Sequence, residues 1–430
     1  MMIRQIQLGK RHNCWTSLGL SRASLLLFLL LGSAEYVHAE NWSRFRGPNG
    51  SGDAGEVTFP STWTDQDYRW KIALPGIGHS SPVGWGNRLF VTSGDVETGA
   101  VTLHCFATGS GESLWEKSFV GEKYVMHASN SYASTSPTVD EQHVYLSWAS
   151  AGKMHCAALT HEGEHVWREE LGDFVGPHGF AASPMAAAGV LCMQIDQEDG
   201  GFLVGIDKAT GKVRWRARRP AGKASYATPC VISLGDSGSA VISQSMTSGM
   251  QAIDVETGQQ LWQLDDVFPA RCVSSPFLAG KTIFGVCGGG GTGKVLVGIQ
   301  LHDDPRQQPI EKLTLTKHVP YVPTPLIKGD LLFLWHDQGK VSCVDLQSDN
   351  PRKMLWTERI GGKFFGSPIL AGEKIYCLSM DGRVVVLAAD REFALLGEND
   401  LGQPSSATPA VHHGKMYLRT ESTLACLPAE

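Results

Sequence analysis

From residue 40 onward the apolar residues fall in short runs, alternating with polar ones or briefly continuous, and Gly, Pro, Asp, Asn and Ser separate each run from the next. Arg88-Leu89-Phe90-Val91-Thr92 and Val101-Thr102-Leu103-His104-Cys105-Phe106 are typical: a period of two predicts half-buried strands, and the residues between them predict turns. No long run of helical period follows residue 40. The chain reads as all-β.

One hairpin recurs. Ala252-Ile253-Asp254-Val255-Glu256-Thr257-Gly258-Gln259-Gln260-Leu261-Trp262 predicts a turn in which Asp254 accepts backbone N–H groups, Gly258 takes a positive φ and Trp262 re-enters a buried layer. The pattern stands again at Gly205 to Trp215 and, more divergent, at Phe106 to Trp115, Ala158 to Trp167 and Cys343 to Trp356. Upstream of each hairpin a Ser-Pro or Thr-Pro pair opens an apolar strand: Ser81-Pro82, Ser136-Pro137, Ser183-Pro184, Thr228-Pro229, Ser275-Pro276, Thr324-Pro325, Ser367-Pro368 and Thr408-Pro409. The prolines are 55, 47, 45, 47, 49, 43 and 41 residues apart, the size of a four-stranded blade, so eight starts predict eight blades.

Trp115, Trp167, Trp215, Trp262 and Trp356 follow their prolines by 30 to 33 residues, and Trp70 lies in a strand, residues 68–74, whose three blade-mates are missing nearby. All six are expected to be structural, docking blade on blade and burying roughly 150–250 Å² each. Blade five has Leu313 near the Trp place, and blade seven has Leu395 or Leu396. The missing strands turn up after Thr408, so pairing of residues 68–74 with the last segment would close the ring and remove its open edges.

Composition agrees and adds a compartment. With 49 Gly and 21 Pro in 430 residues the chain suits many turns, and the repeat makes residues 40–430 one domain. Residues 1–39 differ: Arg4, Lys10, Arg11 and Arg22 precede the apolar run Ala23 to Leu31, and Val37-His38-Ala39 suits a signal peptidase. A signal peptide cleaved before Glu40 is expected, with a periplasmic or secreted product; the alternative, an uncleaved anchor, has an apolar core too short to span a bilayer comfortably. Ser33 stands where a lipoprotein needs Cys, so membrane association would be without a lipid anchor. Loss of this segment removes four basic residues and one acidic, taking the formal charge from −6 to −9 and arguing against a nucleic-acid partner. Nine cysteines remain (Cys105, Cys156, Cys192, Cys230, Cys272, Cys287, Cys343, Cys377 and Cys426), most in predicted strands; buried free thiols are expected, one or two disulfides being the alternative. There is no Cys-x-x-Cys to suggest zinc.

The repeated hairpin resembles the pyrroloquinoline-quinone (PQQ) type β-propeller repeat, in which it makes the tryptophan-docking contact, and the likeness covers essentially all of residues 41–430. The stretches Trp42 to Gly52, Gly78 to Pro82 and Asn130 to Ser134 resemble those of secreted bacterial PQQ-like propellers. The resemblance implies an eight-bladed β-propeller of four-stranded blades, closed by pairing of N-terminal and C-terminal strands. Two functions occur in the family: quinoprotein dehydrogenation, and service as the lipoprotein subunit of outer-membrane assembly, the BamB type. A quinoprotein is expected to carry a vicinal disulfide, calcium-holding carboxylate and Asn ligands, and an Asp base; this chain has no adjacent cysteines.

The connectors before each Ser/Thr-Pro should emerge on one face near the channel, carrying His79, His127, Asn130, Tyr132, His178, Tyr226, Arg271, His318, Tyr321 and Phe365. Aromatics with scattered hydrogen-bonding groups suit a protein, peptide or glycan partner; the plainer reading is that they fill the narrow end of the ring. We expect a non-catalytic, monomeric binding or scaffold propeller of the cell envelope, with no catalytic residue, metal ligand or cofactor assigned. The alternatives are an oxidoreductase using PQQ with Ca²⁺ and a BamB-like accessory subunit. Four other motifs read as turns: Gly288 to Lys294, which lacks the Ser or Thr of a phosphate loop; Gly235 to Ser239; the acidic run Asp196 to Gly200; and His412-His413, a surface hairpin.

Overall fold

The structure, a computed structural model, describes residues 41–430 except Thr292; the expected signal peptide, residues 1–39, lies outside the described residues. Its strands form eight antiparallel four-stranded sheets. Blade one contains β2 to β5 (Val83–Trp85, Arg88–Gly94, Val101–Ala107, Ser113–Phe119), and six more follow in chain order between residues 138 and 400. In the eighth, β1 (Trp70–Ala73) pairs with β32 (Thr423–Pro428), Trp70 opposite Cys426 and Ala73 opposite Thr423, beside β31 (Lys415–Arg419) and β30 (Ala410–His412). The two ends of the propeller chain share a sheet, as the pattern required.

The tryptophans join the blades. Nε1 of each donates to a backbone carbonyl in the next blade's turn: Trp70 to Thr108 (3.2 Å), Trp115 to His161 (2.8 Å), Trp167 to Lys208 (2.8 Å), Trp215 to Val255 (2.8 Å), Trp262 to Pro305 (2.9 Å) and Trp356 to Asp390 (3.3 Å). Two small residues permit this. The one opposite the Trp is Ala252, Ala158, Gly205, Cys105, Cys343 or Cys426, and a Cβ on Gly205 would lie 2.2 Å from the Trp215 ring. In blade one the repeat thus begins at Cys105, one residue before Phe106. The other is the turn glycine: Gly258 has φ 73°, and its added Cβ would lie 2.5 Å from Trp215. The turn is closed by Asp254 Oδ1, which accepts from Glu256 N, Thr257 N and Thr257 Oγ1.

Leu313 does stand opposite Gly298 in blade five. In blade seven neither Leu395 nor Leu396 takes the Trp place, because the bulge sets Gly397 there, opposite Val386. The lead-in covers this glycine instead: Ser61 O lies where its Cβ would be, Trp63 N donates to Asn399 Oδ1 (2.8 Å), and Asn399 Nδ2 donates to Ser61 O (2.9 Å). Both leucines are left exposed.

Residues 42–54 close one end of the hub. Gly84 N bonds to Trp42 O, Val139 N to Ser43 O and Leu370 N to Gly52 O, while Asn49 exchanges two 2.8 Å bonds with the Val231 backbone. Arg46 is fully buried, and its five N–H donors all reach carbonyls: Gly50, Ser51, Thr324, Pro325 and Pro368. Burial lowers its pKa to about 9. No carboxylate faces it in this set; five convergent carbonyl dipoles replace its hydration instead. All nine described cysteines are free and buried.

Trp215→Ala is expected to cost about 3–5 kcal/mol and Gly258→Ala about 1–3 kcal/mol, against less than about 0.5 kcal/mol for the exposed Leu396→Ala. Guanidinium unfolding measures all three, and equal effects would show that the docked tryptophan is not the joint between blades.

Candidate functional site

The hub is lined by the residues that precede proline. Proline has no N–H and pushes its predecessor into extended backbone. At seven of the eight positions, all but Ser183, the predecessor's own N–H points toward the next blade, where a hydroxyl receives it. Ser81 N donates to Ser136 Oγ (2.8 Å), Ser136 N to Ser183 Oγ (3.0 Å), Thr228 N to Ser275 Oγ (3.0 Å), Ser275 N to Thr324 Oγ1 (3.0 Å), Thr324 N to Ser367 Oγ (3.0 Å) and Ser367 N to Thr408 Oγ1 (2.9 Å). Thr408 N then donates to Ser81 Oγ (3.1 Å), joining the last blade to the first. Sequence reasoning used the Ser/Thr-Pro pairs only to mark strand starts; a hydroxyl residue at all eight positions was the overlooked signal for this ring.

Above the ring the hub opens through a cavity of about 170 Å³, with Phe45 and His79 in its lining, into a larger one of about 700 Å³ on the connector face. Seven of the ten predicted residues line the larger cavity: His127, Asn130, His178, Tyr226, Arg271, Tyr321 and Phe365. His127 and His178 stack with ring centroids 5.5 Å apart, Arg271 Nη1 lies 3.1 Å from His178 Nε2, and the Arg271 guanidinium sits 5.8 Å from the Tyr226 ring centre. Asn130 Nδ2 donates to His178 O, tying two connectors together. His178 Nδ1, Tyr226 Oη and Arg271 Nε are buried atoms without a hydrogen-bond partner among the described residues. Burial, with Arg271 and His127 nearby, lowers the His178 pKa, and burial raises that of Tyr226 to about 12. Lys223 and the glycines 288–290 and 293 complete the rim, so the Gly-rich turn serves here as cavity wall.

Three predicted residues lie elsewhere. His79 belongs to the hub, where burial and Arg419 lower its pKa to about 4. Tyr132 packs in the core edge-on to Tyr124, 5.2 Å between centroids. His318 lines a separate cavity of about 450 Å³. Two turn readings also need correction. His412 is fully buried, its Nε2 2.8 Å from Gly86 O, because β30 is an innermost strand that packs on blade one. In the acidic run Asp196 and Gln197 are buried: Arg219 Nε lies 3.1 Å from Asp196 Oδ1, and Gln194 Nε2 donates to Asp196 Oδ2 (2.7 Å). Burial still raises the Asp196 pKa. Ser93 Oγ, His104 Nε2 (2.7 Å) and Glu116 (3.4 Å from His104 Nδ1) form a triad-like row, yet Ser93 and His104 are buried and line none of these cavities, so the row is a core network.

The repeat, the docked tryptophans and the closed ring define a PQQ-like eight-bladed β-propeller. The family model described as outer membrane protein assembly factor BamB matches residues 62–226 and 157–392, and the chain belongs to that family. Among solved structures, BamB from Moraxella catarrhalis is similar at 13% identity and a TM-score of 0.57, over 83% of this chain and 95% of that one. A europium-containing methanol dehydrogenase is similar at 11% and 0.64, over 90% and 91%, and a quinohemoprotein alcohol dehydrogenase from Comamonas testosteroni at 12% and 0.60, over 91% and 81%. Such identities speak for the fold alone. No curated protein matches in sequence.

The donors here do not fit a calcium-held quinone. Ca²⁺ takes six to eight oxygens with carboxylates prominent among them, whereas no Asp or Glu lines either the hub or the connector cavity. Nor do three His, Cys, Asp or Glu side chains converge among the described residues. PQQ added with Ca²⁺ and then removed by gel filtration is expected to leave no quinone absorbance on the protein; a retained, stoichiometric chromophore would reverse this assignment.

His79, His104 and His412 all have pKa values lowered to about 4, chiefly by burial. Their unfolded values lie near 6.5, so unfolding takes up protons between pH 6.5 and 4 and stability rises with pH across that window. The thermal midpoint should fall on acidification from pH 6.5, and less steeply in His412→Gln; parallel curves would remove His412 from the account.

Proposed function

We propose that this chain is a non-catalytic binding propeller of the cell envelope that holds a segment of a partner protein in the connector-face cavity. The observation that carries this is the convergence of His178, Tyr226 and Arg271, each with an unpartnered buried polar atom, on a cavity walled by Tyr321 and Phe365. Unmet donors cost free energy that a bound acceptor returns, and aromatic walls supply apolar contact at small entropic cost. About 700 Å³ suits a few side chains of an inserted peptide rather than a broad protein face. Family membership supports a scaffold role of the outer-membrane assembly kind, and the basic, then apolar, N-terminal segment supports export.

Cross-linking of the chain in envelope extracts, followed by mass spectrometry, tests the reading. A protein peptide joined to the connector face is expected, with at least tenfold less of it in His178→Ala/Arg271→Ala and in Tyr321→Ala at unchanged thermal midpoint. Cross-links that persist in these variants would dismiss the cavity, and a bound glycan in place of a peptide would change the partner's class.

A further inference from the structure

A second site lies apart from the cavity just described, where blades five and six meet. The chain is acidic overall, yet the lining of the 450 Å³ cavity here is Lys317, His318, His336, Gln338, Lys340 and Arg359, without one carboxylate. Lys340 and Arg359 are direct cross-strand partners in the antiparallel pair of β24 (Lys340–Asp345) and β25 (Met354–Arg359). Like charges so placed destabilise a sheet.

Nothing among the described residues relieves them. Asp337 is the nearby acid, and its oxygens are taken: Oδ2 accepts from Lys294 Nζ (2.6 Å) and Tyr321 N (3.0 Å), and Oδ1 accepts from Val322 N (2.7 Å). Lys317, Lys340 and Arg359 make no ion pair among the described residues. His318 is held at φ 60°, which few non-glycine residues adopt, and its buried Nδ1 has no hydrogen-bond partner among the described residues. At the edge of the cluster His336 Nε2 accepts from Lys294 Nζ (2.9 Å), whose charge Asp337 already meets, and His336 Nδ1 lies 3.9 Å from Asp337 Oδ2.

We propose that Lys317, Lys340 and Arg359, assisted by His318, bind a phosphate group. A tetrahedral oxyanion offers enough acceptors to meet two ammonium groups and a planar guanidinium together, and its charge cancels the cross-strand repulsion. Its source is either a free phosphate compound or the headgroup of an anionic lipid.

Thermal melting of the full chain with inorganic phosphate, at constant ionic strength, is the first arm. A saturable rise in midpoint is expected, with at least tenfold weaker binding in Lys340→Gln and Arg359→Gln. In phosphate-free buffer Lys340→Gln should melt no lower than the wild type, which separates a lost ligand from a damaged fold. The second arm is co-sedimentation with phosphatidylglycerol vesicles against phosphatidylcholine. Binding only to the former, lost in the same variants, assigns the phosphate to a lipid; a phosphate effect without vesicle binding assigns it to a free anion. No response to either probe, or a response that both variants retain within twofold, overturns the site.

Discussion

Neighbouring blades share no strand ladder, so the innermost strand of each must find another partner for its leading N–H. A buried backbone donor left alone is costly. The hydroxyl before proline answers this at seven of the eight blade junctions, and the arrangement explains why one position must be both small and polar. Leu or Val there would break the bond, and a longer side chain would fill the channel above it. The outer tryptophans solve the complementary problem at the rim, where wedge-shaped gaps between diverging sheets need a wide, flat apolar filler with one donor. Inner hydroxyl and outer indole together set the spacing of the wheel, and the connector cavity inherits its shape from both.

What was legible in the chain was whatever recurs. The Asp-Gly-Trp hairpin and the Ser/Thr-Pro start each lie within one blade, so local spacing revealed eight blades and the shared closing sheet. Contacts made once, across the ring, left no periodic trace. Arg46 bonds Thr324 and Pro368, 278 and 322 residues away, and in the sequence it looked like a member of a loose glycine-rich lead-in. Gly397 shows the same limit on a smaller scale: a bulge of one residue moved the expected leucine off the Trp place, and a distant strap filled the gap.

The candidate site divides likewise. Topology alone sends every connector to one face, and seven of ten residues meet there. It does not say how far from the axis each lands. Tyr132 turned inward to pack on Tyr124, and His318 landed beside the lysines of blade six, whose clustering is invisible in the net charge. His412 was misjudged because a hairpin between an innermost strand and its neighbour is covered by the adjoining blade.

The lead-in also bears on assembly order. Residues 42–54 precede every blade, yet the strands they bond lie up to about three hundred residues further along the chain, and the sheet that receives Trp70 is finished only by β32. Non-local pairing of this kind is slow, since loop entropy must be met before any contact repays it. Blades formed before β32 therefore stand as an open arc with a bare edge at each end, vulnerable to sticking and to proteases until that strand is in place.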